Sequence, residues 1–145
     1  MPKALRLAAL LCALALPAAA QDWSFMANLV AQSLDIRAGD GPPILFSDHP
    51  DPGTANYSLI FHYYDNRDGG NATMLDVGLF RRDPEGWRFL AQVPVYGQEP
   101  RDANFHDWQV DITTTMPGPN DPRCCPTVPT RWAVDLRTYQ VGRNP

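Results

Sequence analysis

The sequence predicts an α+β fold that is mostly β, with an amino-terminal helix packed on an antiparallel, curled sheet of about five strands. Three observations support this fold class. Apolar residues recur at helical spacing near residues 22–36, apolar and polar residues alternate in most later segments, and clusters of proline, glycine and aspartate separate these segments. Because most strands alternate, we expect one face of the sheet to contact solvent.

Residues 1–20 have the layout of a secretory signal peptide. Lys3 and Arg6 form a basic start, an apolar run follows, and residues 18–20 are alanines. The apolar run is about ten residues long, which is short of the roughly 20 that a membrane-spanning helix needs. We therefore expect cleavage between Ala20 and Gln21. A single exported domain over residues 21–145, periplasmic or secreted and without a membrane span, would remain.

The predicted mature chain is acidic. Without Lys3 and Arg6 it has 10 basic residues, all arginine, against 16 acidic ones, which gives a net charge of −6. Nucleic acids and anionic membrane surfaces both require a basic patch on their protein partners. The charge balance therefore argues against both as partners.

The first segment after the leader has one apolar helical face. The residues on that face recur at intervals of three and four: Phe25, Met26, Leu29, Val30 and Leu34. Asp22 or Ser24 is the expected N-cap, and the breaker cluster at residues 39–43 should follow the helix. A helix of about three turns is predicted.

The middle of the chain predicts strands. Residues 44–46 form a short apolar run, and residues 57–64 are aromatic and β-branched, which is typical of a strand with both faces partly covered. Alternation over residues 73–81 and again from Trp87 to Val93, around an Asp-Pro-Glu-Gly turn at residues 83–86, predicts a hairpin.

The last third predicts two more strands separated by a proline-rich connection. Residues 97–104 are expected to form a loop and residues 117–130, with five prolines, an irregular segment. Strands are expected over residues 106–114 and 131–141. Their inward residues would be Trp108, Val110, Ile112, Trp132, Val134 and Leu136. Trp87 and Phe89 are also expected in the core.

Cys124 and Cys125 are the only thiols that remain once Cys12 leaves with the leader, so an intramolecular disulfide must join neighbours. Adjacent α-carbons are about 3.8 Å apart, below the usual disulfide range of roughly 4.4–6.8 Å, and the closed loop is minimal. An exported chain nevertheless meets an oxidising milieu. We expect a disulfide ring that holds a tight turn. Reduced buried cysteines, a mixed disulfide and metal binding remain alternatives.

Residues 121–127, Asp-Pro-Arg-Cys-Cys-Pro-Thr, come directly before a predicted strand. The aspartate, the two intervening residues and the Cys-Cys-Pro-Ser/Thr sequence resemble a motif near the end of uncharacterised exported bacterial proteins, including LppP/LprE-like mycobacterial-type lipoproteins. The resemblance is specific over about 30 residues and implies a small exported domain of unassigned activity. This chain lacks a convincing lipidation site, so a lipid anchor is not carried over.

Soft ligands for copper or zinc are present, but they do not stand at a recognised spacing. They are His49, His62, His106, Met74 and Met116, together with the two cysteines. We therefore predict neither a metal site nor another cofactor. In residues 65–71, Arg67 and Gly69 occupy positions where a calcium loop needs oxygen ligands, which favours a polar turn.

None of the standard catalytic motifs occurs, so the sequence favours a non-catalytic protein. We expect a small soluble exported domain that binds an envelope protein or a small ligand. Its contact surface would include the cysteine pair and the residues Asp121, Pro122, Pro126 and Thr127. Tyr57, Tyr63, Tyr64 and Tyr96 would serve as anchors if several shared an exposed face. The alternative is a redox-active or copper- or zinc-handling protein that uses the same two sulfurs.

Overall fold

The computed structural model describes residues 22–70, 72–122 and 124–144. The predicted signal peptide and its cleavage site lie outside these residues. A 3-10 turn, Ser24–Met26, leads into helix α1, Ala27–Ser33. The strands follow: β1 Ile44–Ser47, β2 Tyr57–Asp65, β3 Thr73–Asp83, β4 Gly86–Gln92, β5 Gln98–His106, β6 Gln109–Met116, β7 Val128–Asp135 and β8 Val141–Asn144. Within the described ranges, no helix has the length and apolar character needed to cross a bilayer.

The strands form two four-stranded antiparallel sheets, sheet A in the order β1-β2-β3-β4 and sheet B in the order β5-β6-β7-β8. The predicted α+β, mostly β class is confirmed, and so is the hairpin at residues 73–93. The prediction of a single curled sheet of about five strands is wrong. The chain leaves sheet A through residues 93–97, where Pro94 cannot donate to a strand ladder and Gly97 has a φ of +104°. The alternation of apolar and polar residues along a strand does not indicate to which of the two sheets the strand belongs.

The two sheets pack face to face around one apolar cluster. Sheet A supplies Leu59, Phe61, Val77 and Leu79, sheet B supplies Val110, Ile112, Trp132, Val134 and Leu136, and the connection adds Val93 and Val95. These inward residues are the odd-numbered positions of β2 and β3 and the even-numbered positions of β6 and β7, as strand geometry requires. The inward positions predicted for Val110, Ile112, Trp132, Val134 and Leu136 are confirmed.

Helix α1 covers the outer face of sheet A. Met26, Val30 and Leu34 pack on Ile60 and Phe80, and Trp87 and Phe89 flank this second cluster. Both faces of β2 are therefore covered, as its composition predicts. The 3-10 turn and α1 together cover residues 24–33, about three turns as predicted, and Asp35, with a φ of +47°, takes the chain out of the helical conformation. The Asp22 carboxylate accepts a hydrogen bond from the Ser24 N–H at 2.8 Å, but Trp23 is the N-cap residue of the 3-10 turn, so the prediction of Asp22 or Ser24 as the N-cap is wrong.

Residues 97–104 form most of strand β5, so the predicted loop is wrong. The register of β5 on β6 shifts twice, and Glu99 and Asp102 have φ values of +51° and +55°. These left-handed residues interrupt the alternation of inward and outward side chains. The same segment contains Pro100. A strand with a proline and two left-handed residues has the same sequence pattern as a loop.

Trp108 is not in the core, contrary to the prediction. It lies in the two-residue turn between His106 and Gln109, and 53 % of its surface is exposed. The alternation of residues 106–114 continues through this turn, so the pattern alone does not reveal the reversal.

The predicted irregular segment also ends early, because β7 begins at Val128 and Pro129 lies opposite Thr115. The predicted strand over residues 131–141 is divided between β7 and β8.

The turn between β2 and β3 is polar, as expected for residues 65–71, of which residue 71 lies outside the described part. The guanidinium of Arg67 donates to the carboxylates of Asp35 and Asp40 and lies over the ring of Tyr64 at 4.4 Å. Arg67 therefore ties the β2–β3 turn to the segment that follows the helix.

Candidate functional site

The connection between β6 and β7, residues 117–127, carries the predicted cysteine pair and is called the disulfide loop here. Cys124 and Cys125 are joined by a disulfide, as the sequence predicts. Both residues are exposed to solvent. The alternative of reduced, buried cysteines is therefore wrong. The disulfide therefore lies in an exposed part of the loop.

Asp121 holds the disulfide loop together. Its carboxylate accepts hydrogen bonds from the N–H of Gly118 at 2.7 Å, from the N–H of Thr127 at 2.7 Å and from the Thr127 hydroxyl at 3.0 Å. Inside the loop the Cys125 N–H donates to the carbonyl of Pro122 at 3.0 Å. The spacing from Asp121 to Thr127 thus lets one carboxylate bridge the two ends of the loop.

The hydrogen bond from the Gly118 N–H, with those from Thr127, lowers the pKa of Asp121 below its ordinary value of 3.8. A carboxylate with a lowered pKa stabilises the folded loop above its ordinary pKa, and this contribution is lost as the pH falls through the lower, folded value. We expect the pH-dependent shift of the Thr127 and Gly118 amide signals in NMR to have its midpoint below pH 3.8, and a midpoint at or above that pH would contradict this role of Asp121.

Replacing Asp121 by asparagine removes the charge but keeps one acceptor oxygen. We expect amide exchange at Thr127 to become several-fold faster, because neutral acceptors bind N–H groups less strongly than carboxylates do. Asp107→Asn is the matched control, since no described residue forms a hydrogen bond with its side chain. Unchanged exchange at Thr127 in Asp121→Asn would contradict the role assigned to this carboxylate.

The disulfide is expected to contribute little to global stability. It closes the shortest loop a disulfide can close, and the chain-entropy contribution rises with loop length. Replacing Cys124 and Cys125 together by serine should lower the melting temperature by only a few degrees, as measured by calorimetry. A fall of more than about 10 °C would correspond to several kcal/mol at this size and would show that the ring is a global staple.

One wall of a cleft between the two sheets is formed by Pro126 of the disulfide loop. The cleft, called the loop-side cleft here, has a volume of about 340 Å³ and lies where β2 ends and β3 begins. Its lining comes from five separate segments: Tyr63, Thr73, Met74, Leu75, Tyr96, Gly97, Gln98, Thr115, Met116, Pro117 and Pro126. The volume falls within the roughly 300–1,000 Å³ that is typical of small-ligand sites.

The wall formed by Tyr96 and Gly97 is fixed by hydrogen bonds. The Tyr63 hydroxyl donates to the carbonyl of Gly97 at 2.8 Å, and the Thr114 hydroxyl donates to the carbonyl of Tyr96 at 2.6 Å. The Trp132 indole N–H donates to the same Thr114 hydroxyl at 2.8 Å. Burial raises the pKa of Tyr63 to about 12, so its hydroxyl stays protonated and remains a donor at neutral pH.

The chemistry of the loop-side cleft is apolar and uncharged. None of the described residues that line it is an aspartate, glutamate, lysine, arginine or histidine. Met74 and Tyr96 are 41 % and 54 % exposed at its mouth. Methionine adapts its shape to a partner, and tyrosine offers a rigid apolar ring, so this lining suits an apolar group without a charge.

The predicted contact residues divide between the loop and the cleft. Pro126 lines the cleft, Asp121 and Thr127 make the hydrogen bonds that close the loop, and Pro122 is exposed. The sequence marks Met74 and Met116 only as possible metal ligands. Their position in one cleft depends on the packing of two sheets, which the sequence pattern does not predict.

The four tyrosines proposed as anchors do not share one face. Tyr63 and Tyr96 line the loop-side cleft, whereas Tyr57 lies at the opposite end of the sandwich. Tyr64 is on the outer face of sheet A, where it stacks on His62.

The histidines considered as metal ligands occupy separate environments. His49 accepts a hydrogen bond from the Asp51 N–H, and His106 pairs with Asp111 at 3.2 Å. His62 is fully buried, and its Nε2 lies 3.3 Å from an Asp40 carboxylate oxygen without the alignment of a hydrogen bond. Residues 22–70, 72–122 and 124–144 contain no group of three or more histidine, cysteine, aspartate or glutamate residues placed to hold a metal ion.

The chain was compared with models of known protein families, with curated proteins and with solved structures. None of the three comparisons found a match. The similarity of residues 121–127 to the motif of exported lipoproteins therefore remains a prediction from the sequence.

Proposed function

We propose that this protein is an exported, non-catalytic binding domain that holds a small apolar ligand in the loop-side cleft. The disulfide loop forms a stiff rim of that cleft. The observation that supports the proposal most strongly is the combination of an uncharged, apolar lining with walls already fixed by hydrogen bonds from Tyr63, Thr114 and Trp132. Fixed walls lower the ordering cost of binding.

The lining residues favour binding over catalysis. General acid–base catalysis needs a group whose pKa lies near the working pH, and nucleophilic catalysis needs an activated nucleophile. The cleft offers two tyrosines, two threonines, one glutamine and apolar side chains. No histidine is among the described lining residues. The Thr115 hydroxyl lies 3.4 Å from a Glu99 carboxylate oxygen, but Arg101 donates to the same hydroxyl at 2.9 Å.

The proposed location outside the cytoplasm rests on two features. The leader at residues 1–20 has the pattern of a signal peptide, and the exposed Cys124–Cys125 disulfide belongs to the bonds that persist in oxidising compartments. The resemblance of residues 121–127 to exported lipoproteins and related proteins supports the same location.

Calorimetric titration with indole tests the site. Indole serves as an uncharged aromatic probe, and we expect saturable binding to the wild-type protein. Met74→Glu should weaken the affinity at least tenfold, because it places a charge at the mouth of an apolar cleft. Ile44→Glu is the matched control: Ile44 is 40 % exposed, as Met74 is 41 % exposed, but it lies on edge strand β1 and should leave the affinity unchanged. Equal loss in both variants, or no binding to the wild type, would overturn the proposal.

A second candidate function is thiol–disulfide exchange, which is favoured by the exposure of both disulfide-bonded residues, Cys124 and Cys125. In this reaction the thiolate of a partner attacks one sulfur, the other leaves as a thiolate, and a mixed disulfide forms. Incubation of the oxidised protein in a glutathione redox buffer distinguishes the candidates. Rapid and reversible reduction of the disulfide, measured by thiol counting, would favour exchange. Resistance to glutathione would exclude it.

Stoichiometric copper or zinc retained by the wild type and lost in the double serine variant would favour the metal-handling form of this candidate.

A further inference from the structure

A second pocket lies at the opposite end of the sandwich from the disulfide loop. It has a volume of about 420 Å³ and is called the turn-side pocket here. Its side chains include Asn56, Tyr57, Arg81, His106, Asp107 and Trp108. The register of sheet A separates the two sites, because Tyr57 pairs with Arg81 at this end and Asp65 pairs with Thr73 at the other. The function proposed for the loop-side cleft does not involve any of these residues.

Trp108 presents its indole to solvent from a fixed position. The residue is 53 % exposed in the turn between β5 and β6, while its backbone carbonyl accepts a hydrogen bond from the Leu136 N–H at 2.8 Å. Asp107 in the same turn has a φ of +48°. A large apolar side chain exposed on a backbone that is held in place is a feature of binding surfaces, where aromatic anchors supply much of the contact energy.

Part of the polar lining is engaged in holding the walls of the pocket. The Asp48 carboxylate accepts hydrogen bonds from the N–H groups of Asn56 and Tyr57 at 2.8 and 3.1 Å. Arg82 donates through its Nε to the carbonyl of Ala55 at 2.6 Å. His106 is oriented by the buried carboxylate of Asp111. The turn-side pocket is thus formed in advance of any ligand.

Two charged side chains in the pocket have no such structural role. Arg81 and Asp107 make no side-chain hydrogen bond or ion pair with any other residue in the described part of the chain. Arg81 supplies only donors and Asp107 only acceptors, and their formal charges cancel. A ligand that both donates and accepts hydrogen bonds and carries no net charge fits this pair better than an anion or a cation.

We propose that the turn-side pocket binds a neutral sugar, with the ring stacked on Trp108 and its hydroxyl groups bonded to Arg81 and Asp107. A pyranose ring has an apolar C–H face that an indole can cover, and each hydroxyl group is both a donor and an acceptor. The pocket volume lies within the range of small-ligand sites. This inference is independent of the function proposed for the loop-side cleft.

An array of neutral and acidic oligosaccharides, probed with the labelled mature protein, tests the inference. We expect retention on at least one neutral glycan, followed by confirmation of that glycan in calorimetry. Trp108→Ala should weaken its binding at least tenfold, and Arg81→Met should weaken it by a smaller factor. Phe25→Ala is the matched control, because Phe25 is an aromatic residue of similar exposure, 57 %, in the helical segment and lines neither the turn-side pocket nor the loop-side cleft.

Three results would overturn the inference: no retained glycan, retention of acidic glycans alone, or equal binding by wild type and Trp108→Ala. Indole titration of the Trp108→Ala variant distinguishes failure of the turn-side pocket from failure of the loop-side cleft. Indole binding should keep its wild-type affinity in this variant, because Trp108 does not line that cleft. A melting temperature equal to that of the wild type would show that the variant remains folded.

Discussion

Gly97→Ala should destabilise the protein by about 2–5 kcal/mol, one of the two strongest effects that the structure predicts. Gly97 has a φ of +104°, and a Cβ added there would lie 2.5 Å from the Thr114 Oγ1 and 2.9 Å from the backbone oxygen of Thr115. The left-handed conformation costs an alanine roughly 1–2 kcal/mol, and the contact with packed atoms adds about 1–3 kcal/mol. Chemical denaturation measures the difference.

Gly86→Ala is the control for Gly97→Ala. Gly86 also has a positive φ, +128°, but a Cβ at that position meets no atom within 4 Å. The control therefore carries the conformational cost without the steric one. If both variants lost the same stability, the close approach of Gly97 to β6 would play no part. The Gly97 carbonyl accepts a hydrogen bond from the Tyr63 hydroxyl, and both residues line the loop-side cleft. Gly97→Ala should therefore also weaken indole binding.

Phe80→Ala should cost about 3–5 kcal/mol, the usual range for removing a fully buried aromatic side chain. Phe80 is fully buried on the outer face of sheet A, in the cluster that contains Met26 and Leu34 of the helical segment. Its ring also meets Phe89 edge to face, with centroids 5.4 Å apart. Calorimetry should show a clear fall in melting temperature, and helix α1 should lose amide protection first.

Phe25→Ala is the control for Phe80→Ala. Phe25 belongs to the same helical segment but is 57 % exposed, so its removal should change the free energy of unfolding by no more than about 0.5 kcal/mol. Similar losses in the two variants would contradict the assignment of Phe80 to the contact between helix and sheet.

Local patterns predicted the elements whose side chains alternate regularly. Leu75, Val77 and Leu79 mark β3, and the alternating apolar residues from Val110 to Ile112 and from Trp132 to Leu136 mark the inner face of sheet B. The partition into two sheets was not predictable in this way, because alternation reports which face is buried and does not identify the partner. The pattern does not predict strand β5, because the left-handed backbone at Glu99 and Asp102 interrupts its alternation of inward and outward side chains.

The candidate site was predictable only where it is local in sequence. Two neighbouring cysteines in a chain that begins with a predicted signal peptide predict their own disulfide. The loop-side cleft depends on Met74, Tyr96 and Met116, which β3, the connection between the sheets and β6 bring together. Trp108 was assigned to the core because a two-residue turn preserves the alternation of apolar side chains.

NMR of the methionine methyl groups, recorded during an indole titration, tests the binding function most directly. The predicted mature chain contains three methionines. Met74 and Met116 line the loop-side cleft, whereas Met26 lies under the helix on the other side of sheet A. We expect saturable shifts of the Met74 and Met116 methyl signals and an unchanged Met26 signal. Shifts confined to Met26, or no shift at all, would contradict the assignment of the loop-side cleft as the binding site.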